Sequence, residues 1–239
     1  MKSRLAFPLL ETANLASGAA NGMVMITLPW LVLETTGSAA KAGLLAALSA
    51  IPGVIVSPIV GGLIDRVGRR MVSIFSDVMS AISVLLFVVV DRFGHLTYPW
   101  IVAIAVFGAV FDPAGFTARK ALITNAANAS GIEPNSANGR HEGVAAVGWM
   151  LGPALGATLI ARSGPVTSLG ASAVMFVVAM VAVLSMRVDD EHGKAESHHE
   201  SFIGSLFEGV RVLRADRPLF ALTMGFVGMA ALYMPIDTV

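Results

Sequence analysis

The sequence predicts an all-α protein that crosses a membrane several times. Of its 239 residues, 55% are hydrophobic and 13% are charged, against roughly 25% charged residues in an ordinary soluble domain. The mean hydropathy is +0.75. A soluble domain could not bury so much apolar surface, and intrinsic disorder requires low hydrophobicity with high charge. A chain of this composition therefore belongs in a lipid bilayer.

Six segments are long and apolar enough to cross that bilayer, because a spanning helix needs about 20 mostly apolar residues. A further apolar run begins at Pro218 and is still apolar at Val239. The six segments cover residues 7–33, 42–64, 71–90, 98–117, 143–161 and 166–186.

The chain is accordingly divided into three parts. Residues 1–186 are predicted to form an N-terminal bundle of six transmembrane helices, and residues 218–239 to begin a seventh helix that the chain cuts short. Residues 187–217 between them form a cytoplasmic linker. The second part of the linker has apolar residues at helical spacing, which predicts an amphipathic helix on the membrane surface. These residues are Phe202, Ile203, Leu206, Phe207, Val210 and Leu213.

The distribution of positive charge predicts the orientation. Only three of the 16 Lys and Arg residues, Lys41, Arg92 and Arg162, fall in the connections on one side of the predicted bundle. The other thirteen lie on the side of the N-terminus. Since cytoplasmic connections carry the excess of Lys and Arg, the N-terminus is expected in the cytoplasm of a multi-pass cell-membrane protein.

Several function classes are excluded by residue content. The net charge is zero, which gives no support for nucleic-acid binding, and the absence of cysteine rules out disulfides and thiolate metal sites. His192, His198, His199 and Glu200 match no established metal-site spacing. No phosphate-binding loop or catalytic constellation is present. The sequence therefore predicts neither an enzyme nor a metal or other cofactor.

The connection between the second and third predicted helices reads GGLIDRVGRR over residues 61–70. Gly61 allows close approach of backbones, and Gly68 permits the positive φ that a reversal in so few residues requires. Asp65 can accept a hydrogen bond from Arg69 or from backbone N–H groups that begin the third helix. On these residues alone the connection is a tight basic hairpin. Its arginines anchor it at the anionic membrane surface: Arg66, Arg69 and Arg70.

This spacing, Gly-x-x-x-Asp-Arg-x-Gly-Arg-Arg, resembles the signature loop of the major facilitator superfamily, which lies at the same place in the helix order. The resemblance implies the N-terminal six-helix half of a twelve-helix transporter, and a loop that acts in gating the cytoplasmic side. Other segments resemble the drug, macrolide and siderophore exporter branch of that family. They are residues 28–33, 36–38, 111–114, 208–210 and 217–219.

A second pattern lies in the fifth predicted helix. Gly148, Gly152 and Gly156 share one helical face and form a groove for another helix. Pro153 removes a backbone hydrogen bond and bends the helix. The pattern resembles the antiporter motif of drug and metabolite exporters, and so favours export over import.

Polar side chains inside the predicted spans are candidate functional residues, since an ionised one costs about 2.5–3.5 kcal/mol on insertion scales. Asp77 in the third helix and Asp112, placed near the cytoplasmic end of the fourth, can pair with the arginines of residues 61–70. That cluster is either static or a latch that closes the cytoplasmic side in one state. In the first helix, three residues either line a central cavity or bond neighbouring helices: Glu11, Asn14 and Asn21.

The resemblance implies a secondary transporter that exports a small amphipathic solute or drug by proton antiport. Its partners would be that solute, the lipid bilayer, protons and the missing C-terminal six-helix half. Asn21 stands where many relatives carry an acidic residue, so Asp77, Asp112 and Glu11 remain as candidate proton sites.

Three alternatives stay open. The chain could belong to an importer or facilitator of the same fold, or it could be a truncated half that does not transport alone. It could also be a half-transporter that pairs with itself, although the strong charge bias opposes the dual topology this needs.

Overall fold

A computed structural model describes residues 3–94, 96–188, 218 and 220–225, and the described chain is entirely helical between its turns. The first of two units, Met1–Gly193, contains seven helices within the described residues. They are α1 (Ala6–Thr36), α2 (Ala39–Val67), α3 (Arg69–Arg92), α4 (Tyr98–Ala109), α5 (Asp112–Ser130), α6 (Pro134–Ser163) and α7 (Pro165–Ser185).

Six stretches of the described residues are long and apolar enough to span a membrane, which confirms the predicted number. One of them, Tyr98–Ser130, consists of α4 followed by α5. The helix is interrupted where the ring of Pro113 would meet the carbonyl of Ala109, four residues earlier. The fourth span was predicted to end at residue 117 and the fifth to begin at 143, and both boundaries are wrong. Polar α5 and the first turns of α6 are helical because they pack on other spans.

A glycine with positive φ lies in every connection between successive spans. At Gly68 the backbone has φ 96° and ψ 144°, so one residue both ends α2 and begins α3. Its N–H donates to the carbonyl of Ile64 at 2.9 Å. Residues with a side chain rarely adopt such φ values, so the glycines allow antiparallel spans to follow one another closely. The five are Gly37, Gly68, Gly94, Gly131 and Gly164.

Helix α1 contacts α2, α4, α5, α6 and α7, most extensively α6 and α7. The contact with α6 is a backbone contact between small residues. A Cβ added to Gly152 would lie 2.8 Å from the Cα of Gly22, and one added to Gly148 would lie 3.0 Å from the carbonyl oxygen of Leu15. The predicted glycine groove of the fifth span is therefore filled by α1. Gly156 meets Met23 in the same way, and Pro153 contacts Gly22.

Of the second unit, Lys194–Val239, the structure describes Pro218 and residues 220–225, which are helical. Apart from residues 187 and 188, the predicted linker with its amphipathic helix lies outside the described residues, and so does most of the seventh span. The division of the chain at residues 186 and 217 stays a prediction.

Substituting Gly152→Ala tests the glycine contact. The added Cβ meets backbone atoms of α1, which cannot rotate away, so we expect a loss of about 1–3 kcal/mol of stability. The matched control is Gly143→Ala in the same helix, where nothing lies within 4 Å of the added atom. Thermal unfolding of the purified protein in detergent measures both, and equal midpoints for the two variants would contradict the packing described here.

Candidate functional site

A cavity of about 510 Å³ lies among the spans of the first unit. Small-molecule sites are typically pockets of a few hundred Å³ with mostly apolar walls and few polar groups. Apolar side chains from several helices form most of its wall, with Trp149, Phe87 and Phe176 among them. The polar side chains that line it are Asn21, Ser49, Ser80, Ser83 and Asp112.

Asp112 is the one charged side chain that lines this cavity among the described residues. It begins the 19-residue helix α5, and the 12-residue helix α4 precedes it in the same span. At 1.5 Å per residue, ~27 Å of helix lies on one side of it and ~18 Å on the other. The prediction that Asp112 lies near one end of its span is therefore wrong, because α5 continues to Ser130. Its Oδ1 accepts a hydrogen bond from Ser80 Oγ at 2.9 Å.

A buried ion pair joins α3 to α5 next to this cavity. Arg119 Nη1 lies 2.9 Å from Oδ1 and 3.0 Å from Oδ2 of Asp77, and the two side chains are 6% and 1% exposed. Arg119 Nη2 donates to Ser17 Oγ of α1 at 2.8 Å. The guanidinium thus ties three helices together in the interior of the bundle.

The expected pairing of the two aspartates with the arginines of residues 61–70 is wrong. Along α3, ~12 Å of helix separates Asp77 from Arg69 at 1.5 Å per residue, so the two side chains do not meet. Asp77 pairs with Arg119 of α5. Asp112 lies further still from that end of the bundle and accepts from Ser80.

The arginines that follow Gly68 bind other helices. Arg69 donates to Asn125 of α5 at 2.9 Å. Arg70 Nε donates to the carbonyl of Val183 at 3.1 Å, and its Nη2 donates to that of Leu184. Cations are favoured at the carbonyl end of a helix, which here is the end of α7.

The other members of this connection face outward. Asp65 and Arg66 are exposed, and α3 begins without a side-chain cap, so the expected bond from Asp65 to that helix end does not form within the described residues. A Cβ added at Gly61 would meet nothing within 4 Å in this part of the chain. The predicted close approach at Gly61 is therefore not made here, and this face of α2 is open.

Of the first-helix residues expected to line a cavity, Asn21 does so, and its Nδ2 donates to the Ser17 carbonyl at 3.0 Å. Glu11 and Asn14 do not line it. Glu11 Oε1 lies 2.9 Å from Nδ1 of buried His141, and Asn14 donates to the His141 carbonyl at 3.0 Å. These two residues connect α1 to α6, which is the second role that the sequence leaves open for them.

Sequence reasoning missed Arg119 and His141 as interior residues. Arg119 counts among the charges of the basic side, yet it is 5% exposed inside the bundle. It follows Asp112 by seven residues, which places both on one face of a continuous helix and could have indicated an interior charge pair. His141 carried no such signal. The three histidines and the glutamate whose spacing matches no metal site, residues 192 and 198–200, lie outside the described residues.

Removing one partner of the interior pair is expected to be costly. Asp77→Asn leaves the Arg119 guanidinium buried without its counter-charge, for which we expect a loss of about 3–5 kcal/mol in unfolding free energy. The matched control is Glu142→Gln, which breaks a 2.7 Å pair with Lys120 whose side chains are 57% and 53% exposed. That exposed pair should contribute less than about 1 kcal/mol. Thermal unfolding measures the loss of stability in both variants. A similar loss for each would contradict the claim that the buried pair contributes more than the exposed pair.

Comparison of the sequence with known proteins shows which family the chain belongs to. The model of the Major Facilitator Superfamily matches residues 11–239. The multidrug efflux pump Tap of Mycolicibacterium fortuitum is 32% identical over 235 residues, which are 97% of this chain and 58% of Tap. Tap of Mycobacterium tuberculosis (strain ATCC 25618 / H37Rv) is 30% identical over 238 residues, covering 97% of this chain and 56% of that protein.

Macrolide efflux protein A of Streptococcus pyogenes is 23% identical over 238 residues, covering 98% of this chain and 57% of the relative. The chain thus spans less than two thirds of the length of these relatives. The family match covers nearly all of the chain, including all six candidate spans except the first residues of α1. The resemblance carried by residues 61–70 is therefore confirmed: the chain belongs to the major facilitator superfamily, a family of membrane transporters and not of enzymes, and is related to drug-efflux pumps.

Proposed function

We propose that the full-length protein is a secondary transporter that exports a small amphipathic solute or drug, driven by an ion gradient and working by alternating access. The observation that carries the proposal is the cavity of about 510 Å³ among the spans, which is apolar in most of its wall and is lined by one carboxylate from inside a span, Asp112. Such a site suits an amphipathic molecule of drug size. The similarity to multidrug and macrolide efflux pumps supports export.

The connection at residues 61–70 supports a gating role. Arg69 and Arg70 hold the start of α3 against α5 and α7, so these three helix ends move together. Asp65 and Arg66 are exposed, and Gly61 is open, so these residues are available to contact the C-terminal half that we expect in the full-length protein. Contacts that form in one conformation of the transporter and break in the other would stabilise the first conformation relative to the second.

The interior pair gives this half a fixed frame against which the other half can rock. Asp77, Arg119 and Ser17 connect three helices with charge-assisted hydrogen bonds. The glycines of α6, Gly148, Gly152 and Gly156, seat α1 directly on that helix. Both contacts favour motion of the bundle as one body. We therefore assign Asp77 to this fixed frame, which is the static alternative, and not to a latch with the arginines at residues 61–70.

We further propose that the N-terminus lies in the cytoplasm, as the excess of Lys and Arg on that side indicates. Because the chain has no cysteine, single cysteines can report which side is accessible. Ala40 and Asn138 are exposed at opposite ends of the bundle, at the starts of α2 and α6.

Ala40→Cys is expected to react with a membrane-impermeant maleimide added to intact cells, and Asn138→Cys only after the cells are opened. The variants are made in the full-length protein without other reactive cysteines. Labelling of both after cell opening is the control for accessibility. The reverse pattern in intact cells would overturn the orientation.

Transport by the full-length protein is tested in inside-out membrane vesicles with ethidium and with erythromycin as probes. An imposed proton gradient, acidic inside, should drive each transported probe into the vesicles, and a protonophore should abolish the uptake. Vesicles without the protein are the control. Uptake without dependence on the gradient would overturn proton coupling, and movement only down the probe's own gradient would favour a facilitator of the same fold. No uptake of any probe would favour a protein that does not transport.

A further inference from the structure

We propose that the cavity recognises the hydroxyl or carbonyl group of an uncharged amphipathic solute through the hydroxyl of Ser49 on α2. This inference rests on the proposed function, since it names a class of solute for the transport site and a residue that selects it. It is carried by the hydrogen bonds of the serines that line the cavity and by the distribution of apolar side chains around them.

Two of the three serines that line the cavity already have partners inside the protein. Both lie on α3. Ser80 Oγ donates to Asp112 Oδ1 at 2.9 Å, and Ser83 Oγ donates to the carbonyl oxygen of Ile104 at 3.2 Å. A solute that took a hydrogen from either hydroxyl would first have to break one of these bonds, and exchanging one hydrogen bond for another gains little. These two hydroxyls therefore offer a solute no free donor.

Ser49 is the third serine, and its Oγ is buried without a hydrogen-bond partner among the described residues. A serine within a helix can bond the carbonyl four residues earlier. Ser57 of the same helix does so, with its Oγ 2.6 Å from the carbonyl oxygen of Gly53, whereas Ser49 makes no such bond. Turning the Ser49 hydroxyl towards a solute therefore breaks no existing hydrogen bond.

A buried hydroxyl without a partner discriminates between solutes. Water can bond the hydroxyl while no solute is bound. A solute with a hydroxyl or carbonyl group replaces that water and restores the hydrogen bond, whereas a purely apolar solute displaces the water and leaves the hydroxyl unpaired. Selection thus comes mainly from the penalty that Ser49 imposes on the apolar solute.

The other side chains of the cavity orient such a solute. Asn21 of α1 donates to the Ser17 carbonyl, and its own Oδ1 accepts no hydrogen bond among the described residues. Since α1 and α2 contact each other, this oxygen adds an acceptor to the helix pair that carries Ser49. Phe87 of α3 and Phe176 of α7 provide aromatic surface for the apolar body of the solute. We therefore expect the polar group of the solute to face α1 and α2.

The test compares two probes that differ by one hydroxyl, 1-pyrenemethanol and 1-methylpyrene. Both are uncharged and carry the same fluorescent ring system, so a difference in affinity reports the hydroxyl. Fluorescence measures their binding to the purified full-length protein in nanodiscs, and nanodiscs without protein correct for partition of each probe into lipid. We expect the wild type to bind 1-pyrenemethanol about three- to tenfold more tightly than 1-methylpyrene, which corresponds to one hydrogen bond.

Ser49→Ala should abolish this preference, because it weakens binding of 1-pyrenemethanol and leaves binding of 1-methylpyrene equal or tighter. Ser57→Ala is the matched control: it makes the same substitution in the same helix, at an exposed serine outside the cavity, and should retain the wild-type preference. Removing a buried hydroxyl that has no partner costs the fold nothing, so Ser49→Ala should unfold at or above the wild-type temperature.

An equal preference in the wild type and in Ser49→Ala would overturn the inference, and so would an equal loss of both probes in the variant. If the variant does not fold, the wild type still decides, because equal corrected affinities for the two probes overturn the inference. These binding results are separate from vesicle transport. A preference that Ser49→Ala abolishes, in a protein that transports nothing, overturns the proposed function alone. Transport with an unchanged preference in Ser49→Ala overturns only this inference.

Discussion

Helix α1 lies directly against the backbone of α6, and the arrangement of the bundle depends on this contact. In lipid there is no hydrophobic gain from bringing two apolar helices together, so association depends on close packing. Gly18 and Gly22 on α1 face Gly148 and Gly152 on α6, where even one added carbon would meet backbone atoms. With α1 held there, its other sides contact α2, α5 and α7. The polar bonds between α1 and its neighbours follow from this placement.

The two aspartates inside the bundle have different partners. The Arg119 guanidinium is matched by Asp77 and by the hydroxyl of Ser17, which keeps three helices together without net charge. Asp112 is placed differently, at the break that Pro113 imposes on the fourth span, where a carboxylate can face a cavity from the middle of a helix pair. The interior pair stabilises the bundle, and the Asp112 carboxylate lies beside the cavity with the hydroxyl of Ser80 as its hydrogen-bond donor.

The candidate site could be predicted only in part. Asp112, Asp77 and Asn21 were identifiable because polar residues in apolar spans are rare and costly. Their partners were not, because a side chain's partner depends on which helix faces it. The sequence places Arg119 among the surface charges, because residues beyond 117 are too polar to be predicted as part of a span, although α5 continues to Ser130. For Glu11 and Asn14 the sequence leaves open a cavity or a bond to a neighbouring helix, and the contacts with His141 of α6 show the second.

The sequence by itself determined the membrane class, the number of spans, the glycine turn at residue 68 and the family, because hydropathy and short-range backbone requirements are local properties. Local spacing also placed the glycines of α6 on one face. Tertiary structure decided what those glycines contact and which charged groups pair with each other. These outcomes depend on distances between helices that are far apart in the chain. A charge buried away from water needs a partner, and here that partner comes from a helix far away in the chain. Only the packed bundle specifies which helix that is.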